Sequence, residues 1–197
     1  MDKHYEQLTK LYLRLKGYWV TNLILHSEEN GNSKSELDIL AIKMPFHSQE
    51  YRYVEVQDFL ESPKDRIEIL IGDVKNYRKL DSVEFNKGLR KDRDSIRQLI
   101  DWLGVFNFVT EELISKFEKC LNLHRKPYKN NAFEILDVDS QIGPVRFKFT
   151  FFCPSLTIWN GHGFKYVHGE EMLDFVWECL NESRKIRTCS RNYDFEG

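Results

Sequence analysis

The sequence predicts an α/β fold, a three-layer αβα sandwich with a central mixed sheet. Segments that carry a helical apolar stripe alternate along the chain with short segments rich in β-branched and aromatic residues. Hydrophobic residues make up 41% of the chain and include 14 Phe, 9 Tyr and 4 Trp, which is enough to build a sizeable core. The length of 197 residues fits one domain, so we expect a single domain over residues 1–197.

The first half of the chain begins with a helix and continues with strands. Tyr5–Lys16 places apolar side chains at steps of three and four, and Gly17 is suited to end that helix. A polar turn is expected over residues 27–35. The strand-like segments are Tyr18–Leu25, Leu37–Ile42 and Ile67–Val74.

Residues 44–66 break this regular alternation. They contain Pro45 and Pro63 and only one short strand-like run, Tyr51–Val56. We therefore interpret residues 44–66 as an insertion or a hairpin extension.

The second half of the chain predicts three more helices and three more strands. The helical periodicity covers Lys87–Leu103, Glu111–Leu123 and Glu170–Asn181. The strand-like segments are Phe133–Val138, Val145–Phe152 and Leu156–Trp159. Residues 184–197 form a basic C-terminal tail.

The sequence shows no targeting or membrane signal. No apolar segment follows the first residues, so a secretory signal is not expected. The longest apolar runs are far shorter than the roughly 20 residues needed to cross a bilayer. We expect a cytoplasmic protein that does not contact a membrane.

Two aspartates occupy apolar strands where folding alone would not place them. Asp38 lies within the strand Leu37–Ile42, and Asp73 ends the apolar run Ile69-Leu70-Ile71-Gly72. A buried carboxylate is costly unless it is paired or binds a metal, and two such groups repel each other. A hard divalent cation such as Mg²⁺ removes that repulsion, and Mn²⁺ can substitute for it.

Lys75 completes a set of residues suited to phosphodiester hydrolysis. Side chains alternate along a strand, so Lys75 should point to the same side as Asp73. A lysine in that place can orient a water nucleophile or stabilise charge on a phosphate, while a metal polarises the phosphate. The alternative is a purely structural role, in which both aspartates end strands and cap turns and Lys75 lies on the surface.

Asp38 followed by Asp73-Val74-Lys75 resembles the PD-(D/E)xK nuclease superfamily, which has the restriction-endonuclease-like fold. That family carries an acidic residue on one strand and a (D/E)-x-K tripeptide on the next. The order of helix, Gly17-Tyr18-Trp19-Val20 and the two acidic strands is similar to the cores of Holliday-junction resolvases and RecB-type nucleases. The proline that names the motif is absent, since Glu36-Leu37 precedes Asp38.

The resemblance implies roles for further residues. The Val74 carbonyl would be a third metal ligand beside Asp38 and Asp73, and Glu6 on the first helix would assist the metal or its water. Gln98 and Trp102 are similar to a Q-x-x-x-Y motif of RecB-like nucleases, which would place Gln98 on DNA or near the metal. A solvated surface glutamate is the bland interpretation of Glu6.

A rival assignment of the tripeptide uses Glu55-Val56-Gln57. It would shorten the 35-residue separation between Asp38 and Asp73, but it lacks the lysine and a buried strand beside it.

The net charge of −2 hides a basic middle segment. Residues 75–129 carry 13 basic and 8 acidic side chains, whereas residues 1–74 and 130–197 are both acidic overall. A positive surface that begins at Lys75 would bind a phosphate backbone. The candidate nucleic-acid contacts are Arg78, Lys79, Arg90, Arg97 and Gln98. The alternative is a solvated helix face whose arginines pair with acidic neighbours such as Asp92 and Asp94.

These features predict a Mg²⁺-dependent nuclease that hydrolyses DNA phosphodiester bonds. The alternative is a catalytically degenerate module that serves as a DNA-binding or assembly subunit of a defence or recombination complex. The expected partners are DNA and either a second copy of the chain or a separate subunit.

Overall fold

The computed structural model describes residues 3–26, 33–48, 60, 64–76, 84–122, 133–155 and 166–180. The predicted strands Tyr51–Val56 and Leu156–Trp159, the candidate contacts Arg78 and Lys79, and the C-terminal tail lie outside these residues.

Five helices and six strands are formed by the described residues. The helices are α1 (Lys3–Leu15), α2 (Lys87–Arg90), α3 (Arg93–Leu103), α4 (Glu111–Leu121) and α5 (Gly169–Leu180). The strands are β1 (Trp19–His26), β2 (Ser33–Lys43), β3 (Ile67–Val74), β4 (Phe133–Ser140), β5 (Gly143–Cys153) and β6 (Val167–His168). None of these helices is long and apolar enough to cross a membrane.

The strands form one mixed sheet, as the sequence predicts. The order is β1-β2-β3-β5-β4, and β6 pairs with the end of β5. The β3–β5 and β5–β6 pairs are parallel, and the other three pairs are antiparallel. The central strand β3 is therefore buried between β2 and β5, which suits its apolar sequence.

Helices cover the sheet on both faces. On the front face, which we define by α2, α3 and α4, the core includes Ile69 and Ile71 of β3. On the back face, defined by α1 and α5, it includes Leu70 and Val74 of the same strand. Because side chains alternate along β3, one strand supplies both cores. This arrangement is compatible with a three-layer sandwich.

The prediction of one helix over Lys87–Leu103 is wrong, because the chain forms two helices there. Helix α3 begins after Asp92, whose side chain accepts hydrogen bonds from the Asp94 N–H and the Ser95 hydroxyl. An aspartate that caps the helix start satisfies N–H groups that a continuous helix would bond internally. The apolar periodicity continues across the break and conceals it.

Two strands also differ from their predictions. Strand β2 starts at Ser33, inside the predicted turn 27–35, because it pairs with β1 as far as His26. The two-residue strand β6 has no sequence signal of its own, since it exists through pairing with Phe152 and Cys153.

Candidate active site

A break in the β1–β2 register marks the position of Asp38. Thr21 pairs with Leu40 and Leu23 pairs with Leu37, so Asp38 and Ile39 together face a single residue of β1. This two-against-one arrangement is that of a β-bulge, which redirects a side chain and is common beside active sites. The bulge also lets Leu37 and Leu40 both reach the front-face core.

The carboxylate of Asp38 is turned toward β3. The last pair of the β2–β3 ladder is Ile39 with Gly72, and beyond it the Asp38 Oδ2 accepts a hydrogen bond from the Val74 N–H at 2.8 Å. A side chain thus supplies the acceptor that a strand carbonyl would otherwise supply. Asp38 is only 3% exposed.

Asp73 and Lys75 project from the end of β3 to the same side, as predicted. The Asp73 Oδ2 lies 2.6 Å from the Lys75 Nζ and accepts the Asn86 N–H at 2.9 Å. Lys75 is itself held by its own N–H, which donates to the Phe152 carbonyl at 2.7 Å and so extends the β3–β5 pairing. Asp73 is 2% exposed, so this ion pair is largely shielded from water.

The two aspartates interact directly, and this changes the protonation of Asp38. Burial raises the pKa of Asp38 to about 7, and a hydrogen bond and charge repulsion from Asp73 act in the same direction. The Val74 N–H and the charge of Lys75 oppose the rise. Near neutral pH Asp38 is therefore present in both its protonated and its ionised form.

Cys153 lies beside this cluster but cannot serve as a nucleophile there. Burial raises the pKa of its thiol to about 12, and the charges of Lys75 and Asp73 also act on it. A thiol with that pKa stays protonated at neutral pH and is unreactive.

The donor set fits a hard divalent cation. Two buried carboxylates in contact are stabilised by a cation between them, and oxygen ligands are those that Mg²⁺ prefers. Within the described residues, no group of three or more His, Cys, Asp or Glu side chains is arranged to hold a metal. The described residues thus offer two carboxylates at this place, and a bound Mg²⁺ would take most of its other ligands from water or phosphate, as is common for this ion.

Among the described residues, no hydrogen bond or ion pair joins Glu6 to the aspartate pair. It lies on α1, which packs on the back face of the sheet, whereas Asp73 contacts Asn86 on the front side. Its ion pair is with Lys10, at 3.9 Å. Glu6 lines an open groove of about 500 Å³, together with Lys3, Gln7, Lys10, Asn22 and Glu36.

Arg90, one of the predicted nucleic-acid contacts, is buried and paired within the protein. It is 6% exposed, its guanidinium pairs with Glu84, and its Nε donates to the Phe85 carbonyl at 3.1 Å. The short helix α2 turns this arginine inward, whereas a continuous helix would have placed it on the outer face.

The arginines of α3 are engaged by α4. Arg97 pairs with Glu111 and donates to the Val109 carbonyl at 3.2 Å. Arg93 pairs with Glu111 at 2.9 Å and with Glu118 at 2.5 Å. These contacts fasten α3 to α4, so much of the basic charge that the sequence shows is matched within the protein.

Gln98 is partly buried on α3, and within the described residues it makes no hydrogen bond to the aspartate pair. Trp102, one turn further on, is 55% exposed and so does not belong to the core.

Asn86 is a site residue that the sequence did not reveal. Its position before Lys87-Gly88-Leu89 is typical of a helix N-cap, and its side chain does accept the Gly88 N–H at 2.9 Å. The bond from its backbone N–H to Asp73 depends on how α2 packs against the sheet, which no local pattern encodes.

Comparisons with protein-family models, with curated proteins and with solved structures gave no match. The interpretation of this site therefore depends on its own residues and geometry.

Proposed function

We propose that this protein is a metal-dependent nuclease of the restriction-endonuclease-like fold that hydrolyses DNA phosphodiester bonds. The observation that carries the proposal is the pair of buried, directly interacting carboxyl groups of Asp38 and Asp73, with Lys75 bonded to the second. Structural ion pairs rarely bring two buried carboxylates together, because one of them must then take up a proton. A site that binds a divalent cation gains from the same arrangement.

Each residue of the cluster has a distinct role in this proposal. Asp38, Asp73 and the Val74 carbonyl would hold Mg²⁺ or Mn²⁺, which when bound polarises the phosphate and lowers the pKa of water. Lys75 is a cation at the edge of the pair, where its ammonium can orient the attacking water or neutralise charge on the phosphate.

The proposed contacts to DNA are lysines rather than the buried and paired arginines. Lys87 and Lys91 are exposed at the two ends of α2, directly after Asn86, which bonds to Asp73. They are thus close in the chain to the candidate metal ligands. Phosphate contacts of this kind position a duplex without reading its sequence. Arg78 and Lys79 remain candidates for the same surface.

The test is a cleavage assay on plasmid, linear, single-stranded and branched DNA, with Mg²⁺ or with EDTA. We expect cleavage with Mg²⁺, none with EDTA, and none by the Asp73→Asn variant. The matched control is Asp101→Asn, because Asp101 is an exposed aspartate on α3. Cleavage by Asp73→Asn at the wild-type rate would contradict the assignment of Asp73 to the active site.

A second candidate function is a degenerate nuclease-fold module that binds DNA or assembles with a partner without turnover. The internal pairing of Arg93 and Arg97 favours it, because these contacts use positive charges that a nucleic acid would otherwise meet. Isothermal titration with Mg²⁺ and Mn²⁺ distinguishes the two. A degenerate module would bind DNA without metal binding at Asp38 and Asp73.

A further inference from the structure

We propose that Asn86 is a positioning residue for the candidate metal centre, acting through its backbone N–H on the carboxylate of Asp73. This inference rests on the proposed metal-dependent function. The N–H holds the Asp73 Oδ2, and the other oxygen, Oδ1, is thereby presented as the ligand atom.

Two donors converge on one oxygen of the Asp73 carboxylate. Oδ2 accepts the Asn86 N–H at 2.9 Å and the Lys75 ammonium at 2.6 Å. A carboxylate oxygen has two lone-pair positions, so two donors occupy Oδ2. Oδ1 is then the oxygen better able to bind a cation. The two donors together hold the Asp73 side chain in one orientation.

The Asn86 N–H is itself held rigidly by the start of α2. The Asn86 side chain accepts the Gly88 N–H at 2.9 Å, and its carbonyl accepts the Leu89 and Arg90 N–H groups, each at 3.0 Å. The preceding residue, Phe85, is buried and packs on Phe151, with ring centroids 4.6 Å apart. Phe151 is the register partner of Asp73 on β5, so the same packing fixes both ends of the hydrogen bond.

Helix α2 is also fixed against the strand that carries Asp38. A Cβ at Gly88 would lie 2.6 Å from the Lys34 carbonyl oxygen, so only glycine lets α2 approach β2 this closely. The Asn86 Nδ2 points at the Glu36 carbonyl of the same strand, at 3.5 Å. One short helix therefore sets the position of Asp73 relative to the strand of Asp38. Pre-organised ligands of this kind bind a metal more tightly than ligands that must first be ordered.

The experiment compares Asn86→Pro with Asn86→Ala in the full chain. Both variants lose the side-chain cap, but only proline loses the N–H. The φ of Asn86, −47°, is close to the proline value. We expect metal-free Asn86→Pro to bind Mn²⁺ about tenfold more weakly than Asn86→Ala in isothermal titration, because a bond to a charged group is lost. Equal affinities of the two folded variants would overturn the proposal.

A second measurement uses the unmodified protein and does not depend on whether the proline variant folds. The amide resonance of Asn86 should shift on addition of Mg²⁺ and saturate together with the metal-binding isotherm. In Asp73→Asn the resonance should not respond to Mg²⁺. An Asn86 amide that Mg²⁺ leaves unchanged in a wild-type protein that binds Mg²⁺ would contradict the inference.

The two proposals fail in different ways. A wild-type chain that binds neither Mg²⁺ nor Mn²⁺ overturns the proposed function together with this inference. A wild-type chain that binds the metal, with equal affinities in Asn86→Pro and Asn86→Ala, overturns the role of Asn86 alone.

Discussion

The carboxylate of Asp38 accepts the backbone N–H of Val74 at 2.8 Å, so an acidic side chain occupies the place where a β2 carbonyl would continue the ladder to β3. This contact holds Asp38 against β3, where it meets Asp73. Both carboxylates of the candidate site are therefore positioned by the pairing of β2 with β3 and not by a loop.

The contribution of Asp38 to the stability of the metal-free protein should fall as the pH rises. The folded-state pKa of Asp38 is raised to about 7 from 3.8, so its proton stabilises the fold fully below pH 3.8. That contribution declines as the pH rises toward 7 and is lost above it. Asp38→Asn keeps an acceptor for the Val74 N–H but cannot ionise, so its urea-unfolding free energy in EDTA should decline less over this range. Parallel pH profiles of the two proteins would contradict the assignment.

Metal binding should release a proton from Asp38 below pH 7. Both aspartates must be ionised to bind a cation, and Asp38 is protonated on the acid side of its raised pKa. We expect Mg²⁺ affinity to rise about tenfold per pH unit below pH 7 and to level off above it. Isothermal titration in buffers of different ionisation enthalpy measures the released proton. An affinity independent of pH between 5 and 8 would exclude the pair as the ligands.

Lys75→Ala should separate catalysis from metal binding. Loss of the ammonium removes the group proposed to assist the nucleophile, so cleavage should fall about 100-fold or more. Mg²⁺ affinity should stay the same or increase, because a positive charge 2.6 Å from Asp73 is removed. Lys116→Ala, which removes an exposed lysine on α4, is the control and should change neither quantity.

Arg90 and Arg97 should differ in their contributions to stability. Arg90→Ala removes a buried guanidinium and its bonds to Glu84 and Phe85, which should cost about 2–3 kcal/mol. Arg97→Ala removes a partly exposed pair with Glu111, which should cost less than about 1 kcal/mol. Urea unfolding measures both. Equal losses would contradict the burial of Arg90.

The lysines of α2 should carry part of the affinity for DNA. Changing both Lys87 and Lys91 to Gln should weaken binding at low salt and reduce the slope of log K against log salt by about two. Arg97→Gln should leave the slope unchanged, because that arginine is paired with Glu111. If the double variant keeps the wild-type slope, DNA binds to a different surface of the protein.

Sequence reasoning located the aspartates and the lysine for a clear physical reason. An acid in an apolar strand is conspicuous, and the period of two along β3 puts Asp73 and Lys75 on one side, as their 2.6 Å contact confirms. The alternation of helical and strand-like segments along the chain predicted a mixed sheet packed against helices.

The features of the site that the sequence did not predict depend on contacts between distant segments of the chain. The bulge at Asp38 is visible only from the register with β1, and the inward turn of Arg90 follows from a helix break that apolar periodicity conceals. The charges of Arg93 and Arg97 looked available because the pattern of one helix does not show the acidic face of its neighbour. Glu6 lies on the first helix, where the resemblance expects a glutamate, and its contact with Lys10 is not visible in the resemblance.

The bulge at Asp38 has a consequence for how this chain can evolve. Because it keeps both Leu37 and Leu40 in the front-face core, deleting one residue there would move Leu37 to the other face as well as displacing the carboxylate. Selection for folding alone would therefore reject such deletions, even in a lineage that no longer needs the acid. The geometry around Asp38 is thus inherited with the core, and it would outlast any activity that depends on it.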